Sequence, residues 1–391
     1  MRNALRGALL LGSVLFAAGA TQAGTLTTLY SFNGNTGSTD GYGPQSGLIY
    51  ASSQFYGTTQ YGGANGTGTV YSIATIGSPY TIQHSFAAQD GAPYFGNADG
   101  MGSVSPLVQV GSELYGTAIY GGTYNNGTIF KIAPVGGAFT VLYTFSLSGI
   151  TDGSRPFAGL TYGSDGYLYG VTEQGGANNT GTIFKISPTT GAFSVVMSFA
   201  ALDSSHDNAT GATPQGALIQ GSDGYFYGTA SGGGTHGWGT VFKFLPSPLT
   251  FVTLHNFNIT DGEQPASGLI KSNTTGTFYG VAGGGTALGV VYKITSTGTY
   301  TKLCNLNESP FSSPVLAIDG NIYGSALSGG ANGAGAIYKV TTGGTQTNLY
   351  SFPGAGGMPA GALIQGPSGA FYGTTLSDGV YGYGSVFEYT P

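Results

Sequence analysis

The chain has 391 residues, of which 73 are glycine, 27 are tyrosine and only 7% are charged. Its formal net charge of −6 disfavours nucleic acid and anionic membranes as partners, because both require clustered Lys and Arg. Low charge combined with many aromatic residues argues against disorder, and the sequence lacks the three-residue glycine period of a collagen.

Residues 1–23 have the features of a secretory signal peptide. Arg2 and Arg6 form a basic start, and an apolar core follows that is shorter than the roughly 20 residues of a membrane span. Small residues permit cleavage after Ala20 or Ala23. We therefore predict a secreted, extracellular or periplasmic protein without a membrane span. The chain ends directly after a strand pattern, which favours release over anchoring.

The rest of the chain, residues 24–391, is dominated by a repeated marker that consists of an apolar residue followed by Tyr-Gly. Seven copies occur, with tyrosines 59, 54, 58, 52, 44 and 49 residues apart. Copies of about 50 residues are typical of propeller blades with four strands each. The tyrosines of the marker are Tyr56, Tyr115, Tyr169, Tyr227, Tyr279, Tyr323 and Tyr372.

A second marker, such as Gly68-Thr69-Val70-Tyr71, lies downstream of each Tyr-Gly pair. The two marker glycines are 11 residues apart in six copies and 9 apart in the fifth. This nearly constant loop predicts two strands in fixed register, which we call B (Tyr-Gly) and C (Thr-Val-Phe). A Leu-containing strand A precedes B across hairpin turns such as Ser164-Asp165-Gly166, and a Tyr-Ser-Phe strand D follows C.

The order A, B, C, D leaves an unmatched D strand at residues 26–32 and only A, B and C at residues 361–389. Pairing these two ends would complete the seventh blade and close the ring, which protects the sheet edges. The sequence therefore predicts an all-β fold, a single seven-bladed β-propeller closed by its N-terminal strand.

The repeat unit resembles the Gloeo/Verruco-type (GloVer) tandem repeat of bacterial secreted proteins over nearly all of residues 25–391. The most specific stretches are Gly-Gly-Ala-Asn at 62–65 and 329–332, and Gly-Thr-Ile-Phe-Lys-Ile at 127–132 and 181–186. The resemblance implies a propeller-like architecture and export. It brings no activity and no catalytic residues.

Several residue types are explained by the scaffold. One lysine recurs at the same place in strand C, which indicates a structural role in which its stem packs along the blade. Cys304 replaces the Tyr of strand D and is expected to be a packed thiol without a disulfide partner. His84 and His255 occupy the same strand position and are also expected to be packed. The recurring lysines are Lys131, Lys185, Lys243, Lys293 and Lys339.

The loops D–A and B–C should emerge on one face of the propeller, which we call the upper face. Most of the 16 acidic residues fall in these loops, together with several aromatic residues. Aromatic rings stack on sugar CH faces and carboxylates accept hydroxyl hydrogen bonds, so this face is a candidate ligand-binding site. Polar loops with turn-forming Asp give the same pattern without any ligand. The candidate ligand-binding residues are His236, Trp238, His206, Arg155, Glu173, Tyr124, Tyr381 and Tyr383.

Function remains open among three classes. The first is a monomeric binding module for extracellular polysaccharide or a surface protein. The second is a secreted polysaccharide lyase or glycosidase, and the third is an extracellular scaffold. No catalytic motif is present and no cofactor is predicted. The linker Asp-Gly pairs lack the ligand density of a calcium loop, although a Ca²⁺ ion held between linkers stays an alternative.

Overall fold

The computed structural model describes residues 24–34, 40–91, 95–134, 136–146, 151–354 and 356–391, so the predicted signal peptide lies outside the described residues. The described chain forms seven small antiparallel sheets arranged as the blades of a propeller, each in the order A, B, C, D. The prediction of a seven-bladed all-β propeller is confirmed. Among the described residues, no helix is long and apolar enough to cross a membrane.

Strand A of blades 1 to 7 comprises Ile49–Ala51, Val108–Val110, Thr161–Tyr162, Ile219–Gln220, Ile270–Lys271, Val315–Leu316 and Ile364–Gln365. Strand B comprises Gln54–Thr59, Glu113–Ala118, Leu168–Thr172, Phe226–Ala230, Thr277–Gly283, Ile322–Ser328 and Phe371–Thr375. Strand C comprises Thr69–Ala74, Thr128–Ile132, Thr182–Ile186, Thr240–Pro246, Gly289–Thr295, Ala336–Val340 and Ser385–Thr390. Strand D of blades 1 to 6 comprises Tyr80–Ser85, Phe139–Thr144, Phe193–Ser198, Leu249–Asn256, Tyr300–Leu306 and Gln346–Ser351.

The ring closes between the two ends of the chain. The strand Thr25–Ser31 pairs antiparallel with Ser385–Thr390 and serves as strand D of blade 7. Near the centre of the ring, the hydroxyl of Thr374 in blade 7 donates to the backbone carbonyl of Ser46 in blade 1 at 3.0 Å. The pairing of an N-terminal D strand with the last blade is therefore confirmed.

A glycine of strand B lies beneath an aromatic ring of strand C in every blade. In blade 1, Gly57 and Tyr71 are register partners, and a Cβ on Gly57 would lie 2.5 Å from the Tyr71 hydroxyl. In blade 2, a Cβ on Gly116 would lie 2.6 Å from the Phe130 ring. Because only glycine leaves room for the ring, the Tyr-Gly marker is a packing requirement of the blade.

Short pairings hold each D–A linker to the B–C loop of the same blade. Gly41–Tyr42 pairs with Tyr61–Gly62 in blade 1, and Asn97–Met101 pairs with Tyr120–Gly122 in blade 2. Single bridges such as Ser154 to Gln174 do the same in later blades. These pairings place the D–A linkers and B–C loops together on the upper face, and the A–B and C–D turns form the lower face.

The strand C ring is Tyr in three blades and Phe in the other four, and this difference predicts a stability effect. The hydroxyls of Tyr71, Tyr292 and Tyr338 are buried and have no hydrogen-bond partner among the described residues. A buried hydroxyl without a partner destabilises the folded state by about 1–3 kcal/mol. Tyr338→Phe should therefore raise the free energy of unfolding in urea by about 1 kcal/mol.

Tyr323→Phe is the matched control, because its hydroxyl donates to Asp319 at 2.9 Å. Its removal should lower the free energy of unfolding. A loss of stability in Tyr338→Phe equal to that of the control would contradict the packing account.

Candidate functional site

Seven equivalent segments, each immediately before a strand A, surround a narrow axial channel of about 90 Å³. Most of their residues are Gly, Ala, Ser and Pro, which lets the blades approach the axis closely. One position of each segment varies among the blades, and it lies four residues before the start of strand A. It is occupied by Gln45, Val104, Phe157, Gln215, Ala266, Phe311 and Ala360. The channel wall is thus amide-bearing at some blades and apolar at others.

The residue two positions before this variable position adopts a left-handed backbone conformation in six of the seven blades. Blades 1 and 2 use glycine there, which tolerates positive φ without strain. Blades 3, 4, 5 and 7 use residues with side chains, and such strain costs about 1–3 kcal/mol each. These residues are Arg155 (φ 54°), Thr213 (φ 49°), Gln264 (φ 48°) and Met358 (φ 48°). Strained side chains kept at the mouth of a channel point to a function for that mouth.

A chain of polar contacts joins blades 2, 3 and 4 at the upper mouth of the channel. The Arg155 guanidinium carbon lies 5.4 Å from the centre of the Tyr120 ring, and Nη1 of Arg155 lies 3.8 Å from Oε2 of Glu173. Nε2 of Gln215 donates to Oε1 of Glu173 at 3.1 Å. Because Gln215 also lines the channel, these four residues form one surface at its edge, which we call the polar rim.

Three tyrosines cross the boundary between blades 7 and 1 on the upper face. The Tyr42 ring centre lies 5.4 Å from that of Tyr61 and 5.5 Å from that of Tyr383. Tyr61 is 45% exposed, so its ring is available to a ligand. We call these residues the aromatic row.

A hollow of about 290 Å³ lies between the aromatic row and the polar rim. Its walls include Tyr61 of the aromatic row, Tyr120 of the polar rim and Met101. Gln60, also in the wall, accepts a hydrogen bond from Nε2 of Gln45, which lines the channel. The hollow therefore adjoins the channel mouth and combines aromatic faces with amide groups.

The predicted residues His206, His236 and Trp238 form a separate group on blade 4. The linker at His206 and Asp207 lies against Gly237, between the other two residues. Trp238 is half-buried against the core around Phe257, and its carbonyl accepts the backbone N–H of Gln264. Trp238 thus stabilises the contact between blades 4 and 5. His206 and His236 are exposed.

His236 and two of the predicted tyrosines occupy equivalent places in the B–C loops. In three other blades this place holds an Asn whose side chain donates to the backbone carbonyl of the Phe that follows strand D, as in Asn65 to Phe86 at 2.8 Å. Tyr124, 36% exposed, and Tyr381, 53% exposed, carry rings there instead. The loop position therefore has a structural role in some blades and presents an aromatic side chain in others.

Several linker acids on the upper face bind the scaffold. The Asp99 carboxylate accepts the Ala87 backbone N–H at 2.7 Å and lies 2.7 Å from Nε2 of His84, whose ring stacks on Phe139. The same arrangement recurs with Tyr30 and Asp40, with Tyr143 and Asp152, and with His255 and Asp261. These acids fasten linkers to strand D, so they leave fewer carboxylates for a ligand than their number in the sequence suggests.

Burial governs the remaining titratable groups of strand D. It lowers the pKa of His255, an effect that the nearby Asp261 carboxylate opposes. Burial also raises the pKa of the half-buried Cys304 thiol. Within the described residues, no group of three or more His, Cys, Asp or Glu side chains is arranged to hold a metal ion.

Gln45, Gln215 and Met101 were not identified as site residues from the sequence. A usable signal was present, because the variable position next to a recurring Pro stands out in a segment that is otherwise nearly constant, as in Pro44-Gln45 and Pro214-Gln215. A position that varies inside a constant repeat faces something other than the repeat itself. Arg155, Glu173 and Tyr383 were predicted, and the structure brings them to the polar rim and aromatic row.

The family model of the Gloeobacter/Verrucomicrobia repeat matches residues 93–210 and 201–314, which together cover more than half of the chain. No curated protein matches the sequence.

Solved structures with the same fold share little sequence with the chain. The extracellular domain of a candidate hybrid two-component system from B. thetaiotaomicron has a TM-score of 0.56 at 10% identity, covering 88% of this chain and 38% of that one. A candidate 6-phosphogluconolactonase from Bacteroides fragilis has a TM-score of 0.53 at 17% identity, covering 87% of this chain and 99% of that one. A candidate 6-phosphogluconolactonase from Bacteroides uniformis has a TM-score of 0.52 at 16% identity, covering 82% of this chain and 89% of that one. The chain spans 38% of the length of that extracellular domain. At these identities the likeness shows the fold alone.

The strained residues at the channel mouth predict that stability can be gained there. Met358→Gly removes a side chain from a left-handed position, which relieves about 1–3 kcal/mol of strain against an entropy cost of about 0.5–1 kcal/mol. We expect the free energy of unfolding to rise by about 1 kcal/mol. Met101→Gly, at an unstrained strand position, should lower it instead. Destabilisation by both variants would show that Met358 is not strained.

Proposed function

The chain belongs to the Gloeobacter/Verrucomicrobia repeat family, and on that premise we propose that it is a secreted carbohydrate-binding propeller. The binding site is the upper mouth of the channel, made of the polar rim, the aromatic row and the hollow between them. The observation that carries the proposal is the contact chain from Tyr120 through Arg155 and Glu173 to Gln215, which fixes aromatic, charged and amide groups side by side at one edge.

The chemistry of this edge suits a sugar. A pyranose has apolar CH faces that pack on rings and hydroxyls that exchange hydrogen bonds with amides and carboxylates. Tyr61 of blade 1 and Tyr120 of blade 2 both supply rings to the wall of the hollow. Gln60 and Gln215 supply both donors and acceptors, while the pairing of Arg155 with Glu173 keeps the edge close to neutral.

The opposite side of the channel mouth is more apolar. Phe311 is 37% exposed and Met358 is 42% exposed. A polar edge facing an apolar edge orients an amphipathic ring across the opening, which supports a bound saccharide that spans the mouth. Secretion follows from the predicted signal peptide at residues 1–23 and would bring the protein to extracellular polysaccharide.

The proposal predicts how point variants change retention on polysaccharide. The mature protein is screened on an array of neutral and acidic glycans, and the affinity for a retained glycan is measured by titration calorimetry. Tyr120→Ala should weaken binding about 2- to 10-fold, because an aromatic stacking contact is worth about 0.5–1.5 kcal/mol. Gln215→Leu should weaken it through the loss of hydrogen bonds at the channel edge.

Tyr162→Ala is the matched control, because Tyr162 ends strand A of blade 3 next to the lower-face turn and is 46% exposed. It should bind as the unmodified protein does. An array without any retained glycan, or equal losses in Tyr120→Ala and Tyr162→Ala, would contradict the proposal. If the protein shortens a retained glycan and Glu173→Gln abolishes that cleavage, the protein would instead be an enzyme that uses the same edge.

The blade 4 group offers a separate location on the same face. If the polar rim is the site, His236→Ala combined with His206→Ala should leave glycan affinity unchanged within twofold. Both side chains are exposed, so their removal should not affect folding. A loss of binding in this double variant with normal binding by Tyr120→Ala would move the site to blade 4.

A further inference from the structure

The recurring strand C lysine contacts neighbouring groups on the lower face in blades 3 and 4. Nζ of Lys185 lies 4.6 Å from the centre of the Tyr167 ring, and Nζ of Lys243 lies 4.5 Å from that of Tyr225. Lys243 also donates to the backbone carbonyl of Ser296 in the next blade at 2.7 Å. In these blades the ammonium group helps to fasten the lower face.

Among the described residues, the side chain of Lys293 in blade 5 lacks these contacts, as do those of Lys131 in blade 2 and Lys339 in blade 6. The Lys293 ammonium group makes no hydrogen bond, ion pair or aromatic contact with any described residue. The position that holds Tyr167 in blade 3 and Tyr225 in blade 4 is Thr277 in blade 5, so the ring beneath the ammonium is missing. Lys293 is half-buried beside its register partner Tyr279. An ammonium group in this position is available to an external anion.

The A–B turn of blade 5 also lacks an acid. Blades 3, 4 and 6 have an Asp in this turn that accepts the hydroxyl of the Tyr-Gly tyrosine, as in Asp165 with Tyr169 at 2.7 Å. Blade 5 has the sequence Ser272-Asn273-Thr274 instead, and Oγ of Ser272 lies 3.4 Å from the Tyr279 hydroxyl, to which it donates. The turn therefore offers hydroxyl and amide donors without a carboxylate.

An open hollow of about 510 Å³ separates blades 5 and 6 at this place. Lys293 and the turn residues Ser272, Asn273 and Thr274 line one side, and Thr342 of blade 6 lines the other. Thr342 is the equivalent of Ser296, the residue that Lys243 contacts one blade earlier. Lys243 closes the junction between blades 4 and 5, whereas the junction between blades 5 and 6 is open.

The acid of the blade 6 turn, Asp319, already accepts hydrogen bonds within its own blade. Asp319 adjoins Gly320 in the wall, and its carboxylate accepts hydrogen bonds from the backbone and side chain of Asn321 and from the Tyr323 hydroxyl. On the other side of the blade 5 turn, Lys271 borders a smaller hollow of about 170 Å³. The turn is thus flanked by two lysines in a chain with a net charge of −6.

We propose that the hollow between blades 5 and 6 binds a tetrahedral oxyanion, a sulfate or phosphate group. Lys293 supplies the charge, and the hydroxyl and amide groups of the turn supply directed hydrogen bonds. Lysine is a compact cation with three donors and binds such groups as a point charge. The site lies on the lower face, away from the polar rim. Its test is therefore independent of carbohydrate binding at the upper face.

The test measures the reactivity of Lys293 in the full mature chain. Amines are acetylated under limiting reagent with sulfate, phosphate, acetate or chloride at matched ionic strength, and each lysine is quantified by peptide mass spectrometry. A bound oxyanion stabilises the ammonium form; each unit by which it raises the pKa of the amine reduces the reactive fraction about tenfold. We expect sulfate or phosphate to slow Lys293 several-fold relative to chloride, while Lys185 and Lys271 change little.

Three results would overturn the proposal. They are equal rates for Lys293 in all four salts, equal slowing of Lys293 and exposed Lys271 by general screening, and slowing by acetate as strong as that by sulfate. Different effects of sulfate and phosphate would identify which of the two groups the hollow prefers.

A matched pair of variants gives an independent readout. Lys293→Gln should abolish the rise in Tm that sulfate or phosphate produces over chloride, whereas Lys185→Gln should keep it. Because the labelling experiment uses the unmodified chain, it decides the matter even if Lys293→Gln does not fold. A rise in Tm that persists in a folded Lys293→Gln would contradict the proposed site.

Discussion

In every blade, an aromatic ring of strand C lies across a glycine of strand B, and this contact sets the spacing of the whole propeller. A Cβ on Gly57, Gly116 or any equivalent glycine would collide with the ring above it. The ring must lie there because strands B and C are buried on both faces between neighbouring blades. Glycine lowers the stability of strand B but is required for this packing. The sequence of the repeat can therefore vary little in its two central strands.

Because the central strands B and C have little freedom, sequence differences between blades concentrate at the edges of the blades. Residues that differ from blade to blade lie in the segments before strand A and in the upper loops. There they form the polar rim, the aromatic row and the blade 4 group. On the lower face, the junction of blades 5 and 6 is an open hollow, and Lys293 there lacks the ring and carbonyl contacts that Lys243 makes one blade earlier. Both proposed sites therefore arise where the repeat is broken, which is where a symmetric scaffold can recognise an asymmetric ligand.

The sequence predicted the fold well because its markers are physical requirements of the blade. The number of blades, the order of strands and the closure by the N-terminal strand all followed from the Tyr-Gly and Gly-Thr-Val patterns. The individual site residues were harder to predict. Arg155 and Glu173 were selected because their loops share the upper face, but Gln215 belongs to the next blade and meets them only where blades 3 and 4 pack together.

Charge in the linkers was the least informative signal. Asp40, Asp99, Asp152 and Asp261 suggested an acidic face, yet their carboxylates bind tyrosines, histidines or backbone N–H groups of strand D. A sequence does not distinguish an Asp that fastens a loop from an Asp that meets a ligand, because both lie in polar loops. Trp238 is a similar case, since its rarity in the sequence drew attention to a residue that packs between blades.

Hydrogen–deuterium exchange of the mature protein, with and without a glycan retained on the array, tests the central claim most directly. Exchange reports which backbone amides become protected when a ligand binds. The account predicts slower exchange in the loops around residues 41–62, 101–120, 155, 173 and 215, with the lower face unchanged. Protection confined to residues 203–238, or spread evenly over all seven blades, would contradict a binding site at the polar rim.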